Sequence, residues 1–150
     1  MARMYARKKG KSGSTRPVKK SAPWVRLRPD EVEHLIVKFA KKEYDSAKIG
    51  TILRDSYGVP STRMLTKQKI AAVMKKHGLY PDFPEDMLNL MRKAVNLRAH
   101  LEKNKKDYTS ARGLEITESK IRRLTRYYRK RNLLPAAFKY DPEKAKLIVK

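Results

Sequence analysis

HLEKNKKDYTSARGL, residues 100–114, is the stretch that decides the architecture. Upstream of it, Met87, Leu90, Met91, Ala94, Val95, Leu97 and Leu101 recur at helix spacing. Downstream, Leu114, Ile121, Leu124 and Tyr128 continue at the same period, with small Thr117 among them. Between the two stripes, 104–110 is polar and short, with Asp107 and Ser110 as residues suited to capping a helix. A short turn between two long amphipathic helices folds the second back along the first, so the reading is an antiparallel helical hairpin. Pro84 opens its first helix and Pro135 ends its second.

Three shorter patterns precede the hairpin. Pro29 suits a first helical position, Asp30, Glu31 and Glu33 favour the first turn, and Val32, Leu35, Ile36 and Phe39 mark one face. Asp45 or Ser46 can cap a helix carrying Ile49, Ile52 and Leu53, stopped by Gly58 and Pro60. Thr66 can cap another, with Ile70, Val73 and Met74 inward and Gly78 as its stop. Asp141 and Pro142 start a last short helix. No alternating strand pattern occurs. The expectation is an all-α chain: a basic unstructured arm over 1–28, a small helical bundle over 29–79 and a hairpin core over 80–150.

Composition narrows the partners. A net charge of +23 over 150 residues favours a polyanion. The arm holds ten Lys or Arg and no acid, including Arg3, Arg7, Lys8, Lys9, Lys11, Arg16, Lys19 and Lys20. Such a segment buries too little surface to order by itself, but it can thread along phosphates. With no cysteine, disulfides and thiolate metal sites are excluded, and His34, His77 and His100 are too scattered for a histidine metal site. No apolar run reaches the ~18–20 residues of a membrane span, and no secretory leader is evident. Phosphate-loop, nucleophile-elbow and zinc-protease motifs are missing, so neither enzyme activity, cofactor nor metal is expected. The letters of a hydrolase triad in His100, Asp107 and Ser110 lie in a lysine-rich turn with nothing to exclude water.

That turn suits recognition better than catalysis. Lys105, Lys106 and Arg112 can hold a phosphate backbone, which Asp107 would repel. A carboxylate there can accept from a base amine, and an imidazole and a hydroxyl can bond sugars and base edges in the wide minor groove of A-form RNA. Helix capping suits Asp107 and Ser110 equally well. A second cluster, IRRLTRYYRKR at 121–131, puts Arg123, Tyr127 and Lys130 on one flank, with Tyr127 available for stacking and Tyr128 facing the core. Ser110 and Tyr127 are 17 residues apart, which on one helix is about 25 Å, close to a turn of a nucleic-acid helix.

These residues resemble the ribosomal protein S15 family of the small subunit. The pattern is carried by His100, Leu101, Lys105, Lys106, Asp107, Ser110, Arg112, Gly113 and Leu114, then Arg122, Arg123, Leu124 and Tyr127. The arm and WVRLRPDEVEHLIVKFAKKEYDSAKIGTILRDSYGVP resemble the longer archaeal and eukaryotic branch. The resemblance implies a structural rRNA binder that touches a three-way junction and a nearby stem, and that reaches large-subunit rRNA in an intersubunit bridge. His100, Asp107 and Ser110 would serve the stem; Tyr127, Lys130 and Arg123 would serve the junction. Small-subunit rRNA and other ribosomal proteins would be the partners, with neither a membrane nor a second copy required, and the place would be the cytoplasmic ribosome. Where bacterial members carry histidines, this chain has Asn104, Tyr108 and Thr109, and Pro84, Glu85 and Asp86 replace the lead-in to the first long helix. No junction contact is assigned to that lead-in, because its acids sit badly against phosphate.

The alternative is a DNA-binding protein using helices at 46–57 and 66–77 as a helix-turn-helix-like unit, although the 58–65 connection is long for that motif. A basic membrane-surface protein would need an amphipathic helix exposing large aromatics, which is not evident.

Overall fold

The computed structural model describes Gly13 and residues 22–149. Among these residues all regular structure is helical, and no helix is long and apolar enough to cross a membrane. The chain divides at 82/83 into two compact units. The arm residues Arg3, Arg7, Lys8, Lys9, Lys11, Arg16, Lys19 and Lys20 lie outside the described residues.

In the first unit, α1 (Pro29–Ala40) begins with proline at its head and Asp30 and Glu31 in the first turn. A Glu31 carboxylate oxygen accepts the Arg28 backbone N–H at 2.9 Å, satisfying a donor that the helix leaves open. Val32, Ile36 and Ala40, spaced by four, are buried. Helix α2 (Ser46–Tyr57) starts after Asp45 and buries Ile49 and Leu53. Gly58 takes a left-handed φ of 67°, and the Val59 N–H then donates to the Leu53 carbonyl at 2.9 Å, turning fully buried Val59 back into the core. Val73 and Met74 of α4 (Ile70–Lys76) complete this core.

Two details depart from the sequence reading. Thr66 does not open a helix. It closes a five-residue helix, α3 (Thr62–Thr66), its hydroxyl donating to the Thr62 carbonyl at 3.1 Å and accepting the Gln68 N–H at 3.3 Å. Lys67 then adopts φ 57°, so the chain turns before α4 begins at Ile70. The helix-turn-helix alternative loses its geometry, because a helix stands where its turn should be. Residues 22–28, read as the end of the arm, also pack on this unit: Val25 and Leu27 lie against its core.

The second unit is built on α5 (Glu85–Lys103) and α6 (Tyr108–Lys130), with α7 (Pro142–Ile148) against α5. Cross-links at Asp86–Tyr128 and Arg98–Glu118 show the two long helices running antiparallel. Met87, Met91, Ala94, Ile121 and Leu134 form the buried core. The inner face of α6 is more polar than its heptad-like stripe implies: Thr117, Glu118 and Thr125 are buried. The threonine hydroxyls donate to carbonyls four residues back, Gly113 at 2.8 Å and Ile121 at 3.0 Å. Leu114 and Tyr128 are only partly buried, packed against the core from its edge.

Candidate nucleic-acid interface

The apex of the hairpin is a hydrogen-bonded unit. Helix α5 ends at Asn104, whose N–H donates to the His100 carbonyl at 2.8 Å, and two lysines later Asp107 starts α6. One Asp107 oxygen accepts the Ser110 backbone N–H at 2.9 Å. The other accepts the Ser110 hydroxyl at 2.6 Å and His100 Nε2–H at 3.0 Å. Asn104 Nδ2 lies 3.3 Å from His100 Nδ1, so the ring is engaged at both nitrogens. Asp107 is thus the cap of α6, and Ser110 sits in its first turn rather than at the cap. Hydrogen bonds from the Ser110 hydroxyl and backbone, then from His100, hold the Asp107 carboxyl well below the usual carboxylate range, at about 2. The carboxylate is therefore ionised at neutral pH and fixed in direction.

The residues singled out from sequence fall around this unit. Lys105 and Lys106 are exposed in the turn. Arg112, one turn into α6, pairs with Glu115 at 2.6 Å, both largely exposed. Such a surface pair is weak and readily exchanged for a phosphate. Tyr108, which the sequence reading noted only as a departure from the bacterial pattern, is 81% exposed beside the cap.

The far end of α6 carries the second cluster. Tyr127 is 45% exposed. Its ring meets Tyr128 edge to face, centroids 5.1 Å apart, and the Arg131 guanidinium lies 4.7 Å from its centroid. Lys130 is exposed and Arg123, one turn earlier, is half-buried. The Tyr128 hydroxyl donates to both carboxylate oxygens of Asp86 at 2.7 and 2.8 Å, and Asp86 also accepts the Met87 N–H at 2.8 Å. An acid that looks misplaced beside phosphate is a clasp inside the hairpin. Ser110 and Tyr127 share the unbroken helix α6, which keeps them about 25 Å apart along its axis.

Midway, Arg98 directs Nε and Nη2 to one oxygen of Glu118, at 3.2 and 2.6 Å, and Arg122 reaches the other at 3.4 Å. This link was not read from the sequence; a charge on a helix face does not announce a partner twenty positions away. Exposed Arg122, Arg126 and Arg129 extend the basic surface of α6; their i, i+4, i+7 spacing was the available signal. Among the described residues no group of three His, Asp or Glu could hold a metal ion.

Comparisons with known proteins show the family of the chain. The model of the ribosomal S13/S15 N-terminal domain matches residues 1–59, and the model of ribosomal protein S15 matches residues 69–148. The small ribosomal subunit protein uS15 of Methanococcus vannielii is 47% identical over 150 residues, spanning 99% of each chain. With both regions matched and a relative aligned from end to end, the chain belongs to the ribosomal protein S15 family, in its longer archaeal type.

Proposed function

We propose that the chain is a non-catalytic, RNA-binding structural component of the small ribosomal subunit, one that fixes the angle between rRNA helices at a three-way junction. The observation that carries the stem contact is the His100–Asp107–Ser110 network. It uses about three of the four lone-pair positions of the carboxylate and the one hydroxyl proton, and so leaves acceptor capacity on the partly exposed Asp107 and on Ser110. In a minor groove the only base donor is the guanine amine, so this apex reads a G·C-type pair rather than phosphate alone. Lys105, Lys106 and Arg112 supply the backbone affinity. Tyr127, with Lys130 and Arg123, holds the junction by stacking and charge. The side of the apex bearing exposed Tyr108 is suited to the large-subunit bridge. Small-subunit rRNA and neighbouring ribosomal proteins are the partners, within the cytoplasmic ribosome.

Asp107→Asn tests the stem contact, because asparagine retains a capping oxygen while replacing the second acceptor by an amide donor. Affinity for a small-subunit rRNA fragment holding the junction and stem should fall roughly tenfold, with random duplex RNA little changed. Equal losses on both would remove the recognition role. Chemical footprinting of small-subunit rRNA should show protection of one junction and one stem. Equal binding to duplex DNA, without such a footprint, would sink the reading.

A further inference from the structure

Trp24 is the only tryptophan of the chain, and it is 66% exposed. It is nonetheless held in place. The indole Nε1–H donates to the Gly58 carbonyl at 3.1 Å, and the ring lies beside Gly58, its Cδ1 3.9 Å from where a Cβ would stand. The next residues alternate: Val25 and Leu27 pack on the core, while Arg26 and Arg28 are exposed with Trp24. Trp24 itself stands in a turn, which the Val25 N–H closes by donating to the Ala22 carbonyl at 3.1 Å. The tract therefore exposes an indole and two arginines close together in the chain, with no acid among residues 22–28.

From this we infer that the 22–28 tract is a second RNA contact, with Trp24 stacking on an unpaired nucleobase and Arg26 and Arg28 on the flanking phosphates. The single donor of the indole is spent on Gly58, so the ring offers only its π surface to a partner. A flat aromatic surface held rigid beside two cations suits base stacking on a single strand. An acidic protein segment could satisfy the arginines but would leave the indole without a matching flat surface. The inference rests on the RNA-binding reading of the chain but on none of the hairpin contacts.

The sole tryptophan makes the test direct. Full-length protein is titrated with a short oligoadenylate, with inorganic polyphosphate and with an acidic peptide, following tryptophan emission and, separately, binding. Oligoadenylate should quench Trp24, whereas polyphosphate should bind without quenching. Trp24→Ala should weaken oligoadenylate binding roughly tenfold, and Trp24→Phe should retain most of it. Oligoadenylate binding with no change in emission, equal quenching by polyphosphate, quenching by the peptide alone, or wild-type affinity in Trp24→Ala would each overturn the proposal. If Trp24→Ala loses its helical signal, wild-type quenching and Trp24→Phe decide the matter. Asp107→Asn should leave the quenching intact; in the wild-type protein, quenching without selective binding of the junction-and-stem RNA would break the hairpin reading alone, and selective binding without quenching would break this one alone.

Discussion

The two units are held together by different forces. The 22–82 unit has an almost purely hydrocarbon core, in which Val32, Ile36, Ile49, Leu53, Val59 and Val73 are essentially inaccessible. The 83–149 unit buries fewer apolar side chains, buries the polar Thr117, Glu118 and Thr125 beside them, and adds polar links at the apex, the middle and the open end. Hydrocarbon burial is strong but indifferent to small slips, whereas an ion pair or a hydroxyl–carboxylate bond works at one register. The bundle is thus built for stability, the hairpin for a fixed length and pitch.

Truncating each unit should expose this difference. Ile36→Ala removes a fully buried side chain from the bundle, and should cost about 2–5 kcal/mol in denaturant unfolding followed by Trp24 emission. A loss below about 1 kcal/mol would mean that the bundle core is loosely packed. In the hairpin, Glu118→Ala strips the partner from Arg98. Breaking a buried pair costs about 3–5 kcal/mol, but the Arg98 side chain is 35% exposed and regains water, so about 2 kcal/mol is expected. Glu118→Leu should be no worse than Glu118→Ala if packing can replace charge at this position.

Smaller effects sharpen the comparison. Tyr128→Phe keeps the ring and removes the bond to Asp86, costing about 1 kcal/mol in thermal unfolding. An unchanged stability would show that the clasp sets only position. At the apex the depressed Asp107 carboxyl makes a contribution fully present above about pH 4, its ordinary range, and lost as pH falls through about 2. Protection of the Ser110 amide, relative to its intrinsic exchange rate, should therefore fall across that acid window, and Asp107→Asn should remove the transition.

The sequence revealed the hairpin because its stripes are long and its turn is polar; α5 and α6 occupy 85–103 and 108–130 as those patterns require. Helix α3 escaped because TRMLT is too short to display a period. Asp107 stayed open between capping and recognition, since one residue type serves both, and only geometry shows that it caps. Asp86 read as repulsion because its partner is 42 positions away. Trp24, Val25 and Leu27 were absorbed into the arm by the basic stretch before them, although they belong to the bundle.

The clasp at Asp86–Tyr128 carries a consequence for how RNA is selected. With both ends of α6 fastened to α5, a slide by one helical turn, about 5.4 Å, would break both fastenings together. On the proposed reading the chain is a bivalent ligand joined by a stiff rod. An RNA with matching spacing meets its second contact at high effective concentration, and one off by a few ångströms gains nothing from it. Selectivity would then come less from either contact alone than from the refusal of the rod to stretch.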